Sequence, residues 1–594
     1  MQMFIYQAGI FAKPGDFLDA DGYTRLMRVQ HLRDTGNWYD TTVPRSNPDK
    51  SETSQWSRLL DLILLLCAGA GSCFTDFKTA LLWSGILISP LFYVLGLLAI
   101  VWACRPVVKP GWLGMLCPLL ATQPGILLYC AAGRPDHHAL LFFLLALNMG
   151  CMLRCLCLPF SPKAAWVAGL VQAVSLSISI ETLVITAINF LVLGMLWLRG
   201  EKLALHKNLF FSTSLLACST LLYSIQTRPD EWNAGELDRM SLVHLLVFSV
   251  VAAFWAVLAF MNSKGRCPQS LTACIVAGLA GAGVAAVAAE LANPRFLLGP
   301  LANVSPEAMK IWANLVQEQR PLFSSWHDFP GAVILWLFPC LFAIPWAVWR
   351  LFVRGAAFKT EDLYLLLATL VFCGLALYQY RWVLYAEAVA LPLFVQLTGS
   401  CLEWVSERYQ GVRLSILRVS MMGAFFTANL FLGFGLKLAL AEKTAPAATN
   451  ASSPGKVESI HTLCDWLNRE SGLPPKQRIL AFQDFGTEII YRTPYEVVAT
   501  PNHRNEDGIL FAYHAMTASN ADTTRQLLAS KHITLLLLAP HSGEPMVYSK
   551  PGNQTVFYSQ LLNGQCPDWL IPVPLPPHLA SGYRLYRVNL PAAR

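Results

Sequence analysis

The run LLWSGILISPLFYVLGLLAIVWA at residues 81–103 decides the class of this chain. Its 23 residues include no Asp, Glu, Lys or Arg. As a helix they would rise about 34 Å, enough to cross a hydrocarbon core about 30 Å thick. Further apolar runs lie at about 113–131, 138–158, 164–179, 182–198, 208–226, 240–261, 271–290, 331–352, 362–380, 383–402 and 414–440, and the long stretch 164–198 divides at Glu181. With 55% hydrophobic and 14% charged residues over 594 positions, the chain cannot be a soluble globule. The expected fold is a polytopic α-helical membrane protein of about 12–13 transmembrane helices with a small C-terminal α/β domain. The net charge of +7 is scattered between the apolar runs. The partner it implies is therefore the lipid bilayer and not nucleic acid.

The short loops orient the bundle. Arg105 and Lys109, Arg154 and Lys163, Arg199 with Lys202 and Lys207, Lys264 with Arg266, Arg350 with Arg354 and Lys359, and Arg408 with Arg413 fall in alternate loops, which are then cytoplasmic. The remaining loops face outward, including 13–80, 291–330 and everything after about residue 441. Trp56 to Phe74 is apolar but interrupted by Arg58 and Asp61, and reads as a helix lying along the outer surface. Met1 to Ala12 is too short to cross a bilayer, so an outward Asp21 implies that the first span is truncated. The expected division is a membrane domain over 1–440, an Ala/Pro/Thr/Ser-rich linker over 441–456 and an extracytoplasmic α/β domain over 457–594. In that last part Val457 to Asn468 and Ala521 to Ser530 read as helices, and Arg478 to Phe482 and Ile533 to Leu538 as buried strands. Its two cysteines, Cys464 and Cys566, could form one disulfide if exported.

Ionisable residues at membrane boundaries are costly and tend to pair, bind ions or line wet cavities. Four outer loops carry candidates: Asp19 and Asp21 in Leu18-Asp19-Ala20-Asp21-Gly22-Tyr23, Asp136 in Gly133-Arg134-Pro135-Asp136-His137-His138, Glu318 in Val316-Gln317-Glu318-Gln319-Arg320-Pro321, and Arg381 in Tyr380-Arg381-Trp382. Oxygen ligands from separate loops suit Mg²⁺ or Mn²⁺, and a nearby His138 tilts the choice toward Mn²⁺. Such a metal neutralises a diphosphate leaving group, and the planar fork of Arg381 suits phosphate. The competing readings are local: Asp136 as a helix cap, Glu318 paired with Arg320, Arg381 as a snorkelling flank residue, and Glu181 as a helix-end residue in the headgroup region.

In order along the chain, these motifs resemble the catalytic subunit of oligosaccharyltransferase and its single-subunit bacterial relatives, inverting glycosyltransferases of the GT-C superfamily. A fifth match is Phe482-Gln483-Asp484-Phe485-Gly486, in the place of the family's Trp-Trp-Asp-Tyr-Gly acceptor-recognition segment. The resemblance implies that Asp21, Asp136 and Glu318 bind the metal, with Asp19 and His138 as further ligands. It also implies that Asp21 and Glu318 place the acceptor nucleophile, that Arg381 holds the donor phosphate, and that Phe482, Gln483 and Asp484 meet the acceptor. Two departures stand out: His138 replaces the acidic residue that usually ends the second motif, and Phe482-Gln483 replaces the paired tryptophans. The expected activity is transfer of a sugar or oligosaccharide from a polyprenyl-(di)phosphate donor to a protein or glycan acceptor on the outer face of a bacterial inner membrane. Alternatives are a GT-C transferase with a glycan or lipid acceptor, or a flippase of lipid-linked intermediates. A flippase predicts mid-membrane charge and broken helices, whereas the acidic residues read mainly at the outer boundary.

Overall fold

The computed structural model describes residues 15–157, 161–201, 203–325, 329–354, 359–444, 458–549 and 556–589. The Met1 to Ala12 stretch and residues 445–456 of the expected linker lie outside them, whereas 441–444 end the helix Gly411–Thr444. Among the described residues ten helices are long and apolar enough to cross a membrane, from Phe77–Cys104 and His137–Cys157 to Tyr380–Arg408 and Gly411–Ala439. The protein is thus a multi-pass membrane protein. Two expected spans differ. Residues 164–179 form Pro162–Ile178, a helix of 17 residues. The run 113–131 is no single helix but a 3₁₀ turn Pro110–Met115 followed by helices Leu116–Leu120 and Pro124–Tyr129. The break has a local cause, since Pro124 lacks an N–H and holds Gln123 in an extended conformation (φ −83°, ψ 108°). Into this break projects Glu387, a fully buried acid inside the span Tyr380–Arg408, and its two oxygens accept from Gly125 N (3.0 Å) and Ile126 N (2.8 Å). This one acid therefore lies within a span, apart from the acidic residues read mainly at the outer boundary. A carboxylate so engaged caps backbone and does not line a path.

The long stretch 164–198 divides where Ser179 turns extended ahead of the 3₁₀ turn Ile180–Thr182. Helix Arg58–Gly71 packs on Phe77–Cys104 and on helix Ala20–Thr35. Helix Ala20–Thr35 starts on Asp19, whose side chain accepts from Gly22 N, and stops at Gly36 (φ +65°), whose N–H returns to Leu32 O. Three guanidiniums, from Arg25, Arg28 and Arg58, close on Asp61 at 3.0, 2.9 and 3.1 Å at the junction of these helices.

The C-terminal part carries strands β1 (Arg478–Leu480), β2 (Glu496–Val497), β3 (Leu535–Leu538), β4 (Leu570–Val573) and β5 (Arg584–Val588) in one sheet of order β2-β1-β3-β5-β4. β1 pairs in parallel with β2 and β3, whereas β5 runs antiparallel between β3 and β4. Parallel neighbours need a crossover, and helix Gln483–Arg492 supplies it between β1 and β2. All four residues of β3 are buried, as a central strand covered on both faces requires. Helix Ala521–Ser530 is as expected, and the helix read over 457–468 spans Ile460–Arg469. The disulfide is not formed: Cys464 is a buried and Cys566 an exposed free thiol.

The first long loop fastens this domain to the bundle. Ser46 bridges to Val497 beside β2, with Asn47 N–H donating to Val497 O (2.8 Å) and Val497 N–H to Arg45 O (3.0 Å). The Arg45 guanidinium donates to the carbonyls of Ile490, Thr493 and Tyr495. The buried carboxylate of Glu52 accepts from Thr500 Oγ1 (2.5 Å) and Asn502 Nδ2 (2.9 Å). Arg504 pairs with Asp238 (2.6 Å) and Glu236 (3.1 Å), and Trp312 Nε1 donates to Pro501 O (2.7 Å). Helix Gln483–Arg492 is thereby seated against Ala20–Thr35, where Arg492 pairs with Asp16 (2.7 Å) and donates to Tyr23 OH (3.0 Å).

Candidate active site

The turn Gly133 to Asp136 is the floor plate of the site. Leu18 N–H donates to Gly133 O (3.0 Å), Gly133 N–H to Ile86 O (3.1 Å), and Ser89 Oγ to Arg134 O. A side chain at Gly22 would lie 3.0 Å from Phe17 Cβ and 3.2 Å from Pro135 Cδ, so the glycine lets the start of helix Ala20–Thr35 lie directly on this turn. The first two acidic motifs are brought together in that way. Asp19 Oδ1 caps Gly22 N, and Oδ2 lies 3.1 Å from Arg134 Nε.

Asp136 precedes helix His137–Cys157 and accepts from His137 N (2.6 Å). Its Oδ1 is also 2.5 Å from His137 Nδ1, and its Oδ2 3.4 Å from His138 Nε2. The ligand atoms of Asp136, His137 and His138 all lie within 4.8 Å of one another. His138 Nε2 is 3.6 Å from Glu318 Oε2, and Nδ1 is 3.6 Å from Glu181 Oε1. Glu318 comes in on the 3₁₀ turn Gln317–Gln319 and pairs with Arg134. That turn is stitched to the last-but-one span by Tyr380 N–H to Arg320 O (2.9 Å) and Gln379 Nε2 to Gln319 Oε1 (2.8 Å). Arg320 donates instead to Asn314 O (2.9 Å), so the local Glu318–Arg320 pair does not form.

Arg381 pairs with Glu181, and Tyr385 OH donates to the same carboxylate. Glu181 therefore belongs to the site and is not the headgroup residue that its place at a helix end suggests. Its signal lay in the break of the 164–198 run, but only tertiary packing brings it to Arg381. Tyr129 was likewise invisible in sequence; its ring meets His138 edge-on at 4.7 Å, and the Arg134 guanidinium lies 4.4 Å from its centre.

Asp19 and Glu318 keep side-chain exposures of 29% and 28%, whereas Asp136 (2%), His138 (3%) and Glu181 (5%) are shut in. The cluster is thus a pit open on the Asp19–Glu318 side. Burial, then the neighbouring charges of Asp136 and Glu318 against the pull of Arg134, push Asp19 up to about 6. Burial and the charges of Asp19, Asp136 and Glu318 hold Asp21 well above the usual carboxylate range. For Glu318 burial is outweighed by Arg134 and His138, and its carboxyl stays low. Five carboxylates, Asp19, Asp21, Asp136, Glu181 and Glu318, outnumber the cations around them, the guanidiniums of Arg134 and Arg381, Arg25 acting on Asp21, and the His138 ring set among Asp136, Glu181 and Glu318. An excess of negative charge that raises two of its own members fits a divalent cation. Among the described residues His138 Nδ1, Arg381 Nε and Tyr129 OH are buried without a hydrogen-bond partner, which fits a further polar ligand there.

In the C-terminal segment Phe482 and Gln483 are buried and Asp484 is exposed on the first turn of Gln483–Arg492. Thr487 Oγ1 is buried with no hydrogen-bond partner among the described residues. A side chain at Gly543 would sit 3.3 Å from Phe482 and 3.6 Å from Leu315, three residues before Glu318, so this segment adjoins the loop that carries the acid.

No protein-family model and no curated protein matches the chain in sequence. Solved structures do match in three dimensions. The oligosaccharyltransferase AglB of Archaeoglobus fulgidus, in complex with an inhibitory peptide and a dolichol-phosphate, aligns at TM-score 0.70 and 14% identity over 95% of this chain and 76% of that one. The A. fulgidus oligosaccharyltransferase tethered to an acceptor peptide with an NVT sequon aligns at TM-score 0.64 and 14% identity over 96% and 70%. Its complex with Zn and sulfate aligns at 0.56 and 13% over 87% and 64%. The likeness at this identity is one of architecture, and it is shared by nearly the whole chain: the protein has the fold of the A. fulgidus oligosaccharyltransferase.

Proposed function

We propose that the protein is an inverting, divalent-metal-dependent glycosyltransferase that moves a sugar or oligosaccharide from a polyprenyl-(di)phosphate donor to an acceptor on the outer face of a bacterial inner membrane. On this reading residues 1–440 are the catalytic membrane domain and 457–594 an extracytoplasmic domain. The observation that carries it is the convergence of Asp19, Asp21, Asp136, His138 and Glu318 from three loops into one acid-rich pit beside Arg381. The fold neighbours, solved with dolichol-phosphate, a sequon peptide or Zn and sulfate, support the same reading.

Asp21, Asp136, Glu318 and His138 would hold the metal, Mn²⁺ or Mg²⁺, with Asp19 as a further ligand; when bound it offsets the charge of the departing phosphate. Arg381 binds that phosphate through the Nε–H that Glu181 leaves free, and Tyr129 OH adds a second donor within the same pit. Asp21 and Glu318 orient the acceptor for attack on the anomeric carbon, from the face opposite the leaving group. Asp484, Gln483 and Phe482 contact the acceptor. The Phe482-Gln483 pair in place of tryptophans favours, as second reading, a glycan or lipid hydroxyl as acceptor.

Purified protein given Mn²⁺, a lipid-linked oligosaccharide and a fluorescent Asn-x-Thr peptide should shift the peptide on a gel, and EDTA should stop the shift. If the peptide is the acceptor, Asp484→Ala should raise its KM about tenfold with kcat little changed, by about 1.4 kcal/mol of lost binding. An unshifted peptide with metal-dependent donor consumption on envelope glycan selects the second reading. No metal-dependent donor consumption on any acceptor overturns both.

A further inference from the structure

We infer that Glu387, outside the acid pit, is a positioning residue that sets the distance between its two halves; the inference rests on the site reading above. One half rides on the span Tyr380–Arg408, which carries Arg381 and Tyr385. The other follows the short helix Pro124–Tyr129, which delivers Tyr129 and, through the turn at 130–136, Arg134, Asp136 and His138. Glu387 joins them directly. It lies six residues beyond Arg381 on the same element, and its carboxylate spans the first two free N–H groups of the short helix, Gly125 (3.0 Å) and Ile126 (2.8 Å). Pro124, the residue before them, has no N–H to offer.

Three details say that this contact is built. A carboxylate with no exposed surface inside a membrane span is costly, and hydrogen bonds from two backbone donors are what offset it. A Cβ at Gly125 would lie 2.6 Å from Val383 Cγ1 and 2.8 Å from Glu387 Oε2, so only glycine lets the two elements approach this closely. The other side of the break is also tied, with Asn429 Nδ2 donating to Thr122 O (2.8 Å) and Gln123 Nε2 to Leu119 O (3.0 Å). The short helix is therefore held at its start by a hydrogen-bonded clamp and ends in the ring that meets His138 at 4.7 Å.

Glu387→Gln replaces one acceptor by an NH₂ that faces an N–H, and Gly125→Ala pushes the side chain of Glu387 off while leaving the acid in place. Both should accelerate hydrogen exchange of the amides over 124–134 in the metal-free protein, and both should weaken Mn²⁺ binding by titration about tenfold or more. Kcat should fall on the order of 10²-fold with acceptor KM unchanged, because misplacement by about 1 Å acts on the reacting geometry. Gly194→Ala, where nothing lies within 4 Å of the added carbon, is the control and should behave as wild type. Unchanged exchange over 124–134, or unchanged Mn²⁺ affinity in both variants, overturns the inference. So does a loss spread evenly over Tm, KM and kcat, as a general packing role predicts. Faster exchange and weaker Mn²⁺ binding in a protein whose wild type transfers nothing would uphold the clamp and overturn the glycosyl-transfer reading alone.

Discussion

Glu318→Ala is expected to lower transfer at least 10³-fold, about 4 kcal/mol of barrier, while the protein still folds. The residue is the only acid that the long loop brings to the pit among those described there, and it touches both Arg134 and His138. Its removal takes a ligand from the metal and the orienting group from the acceptor together. Stability should change little, because the side chain is 28% exposed and Arg134 keeps Asp19 as counter-ion. Asp21→Asn should match it in activity but differ in stability. Burial and three neighbouring carboxylates raise the Asp21 pKa in the folded, metal-free protein. A raised acid contributes stability only below its unfolded value and costs stability as pH rises through the folded one. At neutral pH the metal-free Asp21→Asn protein should therefore melt above wild type, and it should lose the rise in Tm that Mn²⁺ gives wild type. Turnover within tenfold of wild type in Glu318→Ala would remove that residue from the site, and an Asp21→Asn protein that melts lower without metal would remove the charge crowding.

What was legible in the sequence was what is local. Twenty apolar residues without a charge announce a span wherever they fold, and a carboxylate in an outer loop beside Gly-Tyr or Arg-Pro is visible one motif at a time. Helix Ala521–Ser530 and strand β3 follow from periodicity alone. The run 113–131 misled because hydropathy sums side chains and ignores the missing N–H of Pro124. The partners of Glu181 and Glu387 were hidden for a shared reason. Each acid sits in an apolar run, and each finds its partner, Arg381 for one and the Gly125–Ile126 backbone for the other, some 200 or 260 residues away in the chain. Tyr129 carries no charge and gave no signal at all. The site was thus readable as a list of charged loop residues, but not as a geometry.

Asp61→Asn is expected to be the most destabilising single substitution in the first 80 residues. The side chain has no exposure, and it is the sole counter-charge that Arg25, Arg28 and Arg58, each at 2% exposure or less, share at 3.0, 2.9 and 3.1 Å. The hub already carries two more positive charges than negative. The rest is borne by neutral acceptors, Ser54 Oγ and Trp56 O for Arg28, Trp38 O and Asp40 O for Arg58, and by the Trp56 face 4.2 Å from Arg25. Taking away the one carboxylate leaves three buried guanidiniums facing each other, a change of about 3–5 kcal/mol or more. Burial alone would raise the Asp61 pKa, but the three arginines hold it below the usual value. Its contribution is therefore complete above the unfolded pKa near 3.9 and fades as pH falls through the lower folded value. Wild type should lose stability in that acid window, and Asp61→Asn, already lacking the contribution, should show a flatter profile there. Arg25→Met is the decisive contrast, since it lowers the excess charge from two to one and keeps an apolar stem over Trp56. It should cost clearly less than Asp61→Asn in thermal melts of the detergent-solubilised protein. Equal losses would mean that packing, not charge, holds the hub together. Because Arg25 and Arg28 ride on the helix that begins at Asp19 and Asp21, a hub that opens also withdraws both acids from the pit, so activity at neutral pH should fall in step with melting in Asp61→Asn and fall less in Arg25→Met, which loses only the Arg25 charge acting on Asp21.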